Sequence, residues 1–368
     1  MATRLDDALG AVGRAFRSDG RFHDVLRSRA FHDLIEAIRT DRRIAPVLDR
    51  PVGIGFGGQR LTADAIANRC LRILQADPSG VRALRETFDA TFPAEMLLVE
   101  LSLPLRHFDG PDRLAIADGL ELVRVAPSGD ETHVLRRTLR LPTVLDEDRP
   151  LRSSLAIHAA AHDDLWIAMH ALHLVAPGAC DGAWIVEDVG GPLLGGRSRK
   201  SQGGTRLLAT APATPFVLSR AQATEAVEVI RQCLTTPARQ LLRVPLRRLH
   251  QSLGRVPREE RLDDLMIALQ ALLTPEYDTE LSLRFAVRGA AVLGATIEER
   301  HDIFLRLHAA YRERHDRVPD GSADRWPAPL DVLTDDLRRS LRFCAERIAT
   351  TSEPLTSFIP ALEIGLVG

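Results

Sequence analysis

Lysine is nearly absent. Lys200 is the single lysine among 368 residues, and every other strong cation is arginine. The formal net charge is -2, so no global pull draws the chain toward nucleic acid, and any such site must be a local patch. Arginine offers phosphate a planar fork, although the bias toward it is equally what a GC-rich genome produces. Cysteine is sparse too. Cys70, Cys180, Cys233 and Cys344 stand far apart and form no CxxC pair, which argues against a zinc knuckle or a disulfide framework and leaves four plain thiols. No apolar run reaches the length of a membrane span, and the start, Met1-Ala2-Thr3-Arg4-Leu5-Asp6, lacks the apolar core of a signal peptide. A cytoplasmic protein without membrane partners is expected.

What is present reads as α+β. Leu5, Leu9, Val12 and Phe16, then Phe22, Val25, Leu26, Leu34 and Ile38, recur at helical spacing. The run Gly53-Ile54-Gly55-Phe56-Gly57 has no Walker lysine after it and no clear strand before it, so it reads as a turn. Helices follow over 62–74 and 81–88. Leu97, Val99, Leu101, Leu103 and Leu105 alternate as a strand, with further strands over 119–125 and 134–141 and a turn at 127–130 between them. An amphipathic helix is expected over Asp163–Val175, a short strand at 184–186, and a mobile glycine-rich loop over 190–206.

The last third is helical. Ser219 and Gln222 form a capping box, as do Thr296 and Glu299. Helices are expected over 238–253, with a kink or late start at Pro245, and over 261–273. A further one over 279–293 would be closed by Gly294 in the left-handed C′ position. Leu337, Leu341, Cys344 and Ile348 mark the last helix. The expected division is a mixed N-terminal region over 1–150, a connecting region over 151–215, a helical bundle over 216–350 and a tail over 351–368.

An ordered series of segments in that bundle carries a resemblance. It runs from Arg247-Arg248-Leu249-His250-Gln251-Ser252-Leu253 through Arg261-Leu262-Asp263-Asp264-Leu265 and Ala268-Leu269-Gln270. It continues with Glu280-Leu281-Ser282-Leu283-Arg284-Phe285-Ala286 and ends at Ala310-Tyr311-Arg312-Glu313-Arg314. The series resembles the Apea-like branch of the HEPN superfamily. Upstream, Asp118-Gly119-Leu120 and Ala171-Leu172-His173-Leu174 are similar to the segment that precedes the bundle there. The resemblance implies a helical domain that often dimerises and often cleaves RNA without metal, using an arginine and a histidine separated by four to six residues. An imidazole can trade the protons of the attacking 2′-hydroxyl and the leaving oxygen, and a guanidinium can hold the phosphoryl oxygens.

Here the motif is damaged. Arg314 and Val318 match it, but Pro319 occupies the histidine position and has no proton to trade. The glutamate of the family's Ala-Leu-Glu segment is replaced by Gln270. His315 is the nearest imidazole, at the wrong spacing from Arg314. Arg152 to His158 and Arg243 to His250 also fit the loose spacing, as chance allows in a chain with 12 histidines and so many arginines. Arg314, His315 and Arg317 read as a solvated helix end, a retained RNA contact, or a displaced catalytic pair.

Two other constellations stand out. His158 and His162 are four apart, with His170 and His173 beyond, but Ala159 stands where a zincin needs glutamate, so these read as structural histidines and no metal or cofactor is expected. Arg197, Arg199 and Lys200, with Arg206, form the most basic short stretch, a solvated loop or a phosphate contact without aromatic residues for base stacking. The leading expectation is a nucleic-acid-associated protein, with RNA as the expected nucleic acid, or a scaffolding HEPN-like protein, in a prokaryotic defence or RNA-targeting setting. The alternatives are an active metal-independent endoribonuclease and an interaction subunit that binds a protein partner, or a second copy of itself, through the bundle.

Overall fold

The computed structural model describes residues 4–18, 21–49, 61–91, 96–128, 131–142, 151–182, 184–189, 193, 198–200, 214–274, 281–315 and 329–351. The architecture is mixed α+β. Two compact units interleave along the chain. The first comprises Met1–Ser102, Arg137–His162 and Trp184–Lys200; the second comprises Leu103–Arg136, Asp163–Ala183 and Ser201–Gly368.

In the first unit, helices α1 (Arg4–Arg17), α2 (Phe22–Leu26), α3 (Arg29–Thr40), α4 (Ala63–Ala76) and α5 (Val81–Thr91) pack through the apolar positions that the spacing marks. Leu5, Leu9, Val12 and Phe16 of α1 are buried, as are Leu34 and Ile38 of α3. Ser28 and Thr62 cap α3 and α4, each hydroxyl accepting from the backbone N–H three residues on. The glycine run at 53–57 lies outside the described residues.

The strands are β1 (Met96–Arg106), β2 (Phe108–Asp109), β3 (Arg113–Ala117), β4 (Leu120–Ser128), β5 (Glu131–Pro142), β6 (Ile185–Val189), β7 (Ser198–Lys200) and β8 (Phe216–Val217). The main sheet has the order β3-β4-β5-β1-β6-β7, and β2 pairs with β8 in a separate parallel ribbon. In the first unit β6 lies antiparallel to β1, with Leu101 opposite Glu187, and β7 lies antiparallel to β6. The segment expected to be a mobile loop therefore contributes a strand. Backbone groups make the ladder, so a polar Ser-Arg-Lys sequence serves at an edge despite its lack of apolar alternation.

Helix α6 runs Leu151–Leu172, twelve residues ahead of the expected start at Asp163. Its first half, Ala156 to Ala161, has good helix formers but no clean apolar stripe. Its second half is not amphipathic: from Asp164 to Leu172 every residue is buried.

The helices of the second unit are α7 (Ala223–Leu234), α8 (Thr236–Gly254), α9 (Arg258–Leu273), α10 (Leu281–Leu293), α11 (Ile297–His315) and α12 (Leu330–Thr351). Helices α8 and α9 pack as one hairpin, α10 and α11 as another, and α12 lies against α7, α8, α9 and α10. Leu333, Leu337, Leu341, Cys344 and Ile348 of α12 are buried at helical spacing. Helix α8 continues through Pro245. The Ser219–Gln222 box forms its reciprocal bonds, yet Gln222 is itself the N-cap of α7, so the box closes the turn before the helix. The Thr296–Glu299 box forms as expected.

Gly294 ends α10 without the expected left-handed conformation: among the described glycines only Gly119 and Gly178 have positive φ. A Cβ at Gly294 would lie 2.6 Å from Arg300 Cγ and 2.9 Å from the Arg300 backbone nitrogen, so close approach to the start of α11 explains the glycine. The four cysteines are buried free thiols; burial raises all four pKa values, those of Cys233 and Cys344 to about 12. Among the described residues no helix is long and apolar enough to cross a membrane.

Candidate functional site

Helix α8 organises the most suggestive chemistry of the second unit. Leu242, Leu246, Leu249 and His250 are fully buried on its inner side. Arg239, Arg243 and Arg247 follow one another at four-residue spacing and form a ridge on the other side. Arg239 pairs with Asp164 at 2.6 Å and Arg243 with Asp163 at 3.1 Å, while Arg248 pairs with Asp264 at 2.6 Å. Arg247 is exposed and makes no ion pair among the described residues.

Arg243, Val244, Arg247, Arg248 and Gln251 line a groove of about 410 Å³. Gln251 is only 7% exposed, and among the described residues its Oε1 has no hydrogen-bond partner. Guanidinium groups lining such a groove match the oxygens of a phosphate.

A buried histidine network fastens α8 from inside. His173, one residue past α6, and His250 share a hydrogen bond at 2.9 Å between Nε2 and Nδ1. His250 Nε2 lies 3.6 Å from Asp181 Oδ1, and Arg106 donates to Asp181 Oδ2 at 2.6 Å. The ring of His170 stands 4.9 Å from that of His250, and Cys180 Sγ lies 4.0 Å from His173 Nε2. Burial, reinforced by the neighbouring cations, pushes the pKa values of His170 and His173 well below the ordinary imidazole range. Burial works the other way on Asp181, yet His250 and Arg106 hold its carboxyl below its usual value. The side chains of His170, His173, His250 and Asp181 are buried.

The end of α11 carries the residues of the damaged motif. Arg314 donates to Gln270 Oε1 at 2.5 Å and pairs with Asp263 at 3.3 Å. Gln270 and Asp263 lie seven residues apart, two turns along one face of α9. His315 is exposed, its ring 4.3 Å from that of Tyr311. Adjacent helical residues point about 100° apart, so Arg314 faces α9 while His315 faces solvent, and the two do not converge on one phosphate. Arg317 and Pro319 lie outside the described residues, as do Arg197 and Arg206. Arg199 and Lys200 lie in β7, opposite Val186 and Ile185.

In the first unit His158 falls within α6, and His158, His162 and Glu187 of β6 come together. His170 and His173 belong to the second unit's network instead. The sequence reading passed over both the α8 groove and Glu187. The regular spacing of Arg239, Arg243 and Arg247 was a usable signal for the groove; nothing local links Glu187 to a helix 25 residues upstream.

Comparison of the chain with protein-family models, with curated proteins and with solved structures gives no match.

Proposed function

We propose that this chain is a non-catalytic, RNA-associated protein of the HEPN-like kind, binding the RNA backbone along α8. The observation that carries this reading is the groove lined by Arg243, Arg247 and Arg248 on α8. Arg247 supplies a cation free of ion pairs among the described residues, available to a phosphate. The HEPN-like assignment is supported by the contact between Arg314 and Gln270, the two positions at which the resemblance places the motif arginine and the family glutamate. Loss of catalysis follows from Pro319 at the histidine position and from the divergence of Arg314 and His315. By the same resemblance the setting is a prokaryotic defence or RNA-targeting system.

The test is a cleavage and retention assay on labelled single-stranded RNA in EDTA at low and high salt. Wild type and Arg314→Ala retain intact RNA at low salt, and the Arg243→Glu/Arg247→Glu double variant does not. Cleavage that disappears in Arg314→Ala would make the chain an endoribonuclease. A wild type that neither cuts nor retains RNA would leave the interaction-subunit reading in its place.

A further inference from the structure

We infer that His158, His162 and Glu187 form a binding site for one divalent transition-metal ion of the zinc class. His158 and His162 stand one turn apart on α6, and their ring centroids are 4.5 Å apart. Glu187 projects from β6, is 1% exposed, and lies with Oε1 3.1 Å from His158 Nε2. One ligand atom from each of the three residues falls within 4.8 Å of the others. Around a tetrahedral zinc, with bonds of about 2.0–2.2 Å, ligand atoms stand roughly 3.4 Å apart. The His158–Glu187 pair is already near that separation, and a small side-chain adjustment of His162 completes the set.

The donor types select the metal. Two imidazoles and one carboxylate suit zinc, cobalt or ferrous iron over calcium or magnesium, which prefer all-oxygen shells. Two histidines and a glutamate leave a coordination position open, the arrangement of sites that bind water or a substrate rather than closed structural sites. The proton balance is simple. The 3.1 Å contact between Glu187 and His158 holds one proton between two basic atoms. The incoming cation displaces that proton to solvent and takes both lone pairs.

The experiment uses the full chain, stripped with a chelator and titrated with ZnCl2 by calorimetry and with CoCl2 by visible absorption. The expected result is one Zn²⁺ per chain, and for Co²⁺ a visible band of imidazole and carboxylate ligation. Glu187→Gln preserves the size and a hydrogen bond to His158 but weakens Zn²⁺ binding more than about 100-fold, and His162→Gln does likewise. Circular dichroism of both variants separates loss of the site from loss of the fold. Because other histidines can bind zinc weakly, the variants decide: unchanged affinity in Glu187→Gln and His162→Gln, or no stoichiometric binding by wild type, overturns the site.

Discussion

Mild acid should loosen the second unit well before its carboxylates titrate. His170 and His173 are buried and held neutral, each with a pKa well below the ordinary imidazole range. The unfolded chain takes up a proton on each of them below about pH 6.5, and the folded chain does not. The unfolded state therefore binds more protons across this window, so stability rises with pH and is lost as pH falls. For a buried neutral imidazole the loss between pH of about 7.5 and 5.5 is about 1.4 kcal/mol, so the two together give about 2.7 kcal/mol. That corresponds to a fall in Tm of roughly 5–10 °C. His133, whose pKa is also lowered by burial and by Arg124, adds to the same direction. Asp181 does not contribute in this window, because a lowered carboxyl pKa acts only below its ordinary value. Urea unfolding followed by circular dichroism at each pH measures the slope, and His173→Gln removes one titrating group and about half of the two-histidine loss. An unfolding free energy that is flat to within about 0.5 kcal/mol over the window would refute the sealed neutral network.

Other consequences follow from single contacts. Gly289→Ala places a Cβ 2.2 Å from Leu307 Cδ1 at the α10–α11 crossing, so overpacking should outweigh the gain in helix propensity and cost about 1–3 kcal/mol in chemical denaturation. Asp336→Ala removes a buried carboxylate that accepts from Arg306 Nε and Nη2 at 2.9 and 3.1 Å; a loss of about 3 kcal/mol is expected by thermal and urea unfolding. Arg314→Ala breaks the contacts with Gln270 and Asp263 and should cost about 1–2 kcal/mol of stability, while RNA retention stays at the wild-type level.

Local chemistry carried far along this chain. Helical spacing of Leu5, Leu9, Val12 and Phe16 and of Leu337, Leu341, Cys344 and Ile348 marked faces that are buried, because a single helix decides which of its residues share a side. Thr296 and Glu299 form their box because both partners lie within one turn. What escaped the sequence depends on distant partners. The first half of α6 has no stripe to read, and its second half is buried on every side, which erases amphipathic contrast. Strand β7 takes its state from the ladder of β6. Arg314 meets Gln270 across 44 residues, His173 meets His250 across 77, and His158 meets Glu187 across 29. Of the basic residues singled out by sequence, Arg197, Arg206 and Arg317 lie outside the described residues, whereas the arginines of α8 were visible only as a regular spacing whose meaning depends on the groove beside them.

RNA binding through the α8 groove is tested most directly by the salt dependence of affinity for a labelled single-stranded RNA, measured by fluorescence anisotropy on wild type and on Arg247→Ala. If two phosphates are held, log affinity falls against log salt with a slope of about -1.4, and Arg247→Ala brings the slope up by about 0.7 while the fold is retained. An Arg247→Ala slope and affinity equal to wild type, or no salt-dependent binding by wild type, would contradict the assignment of the groove to RNA.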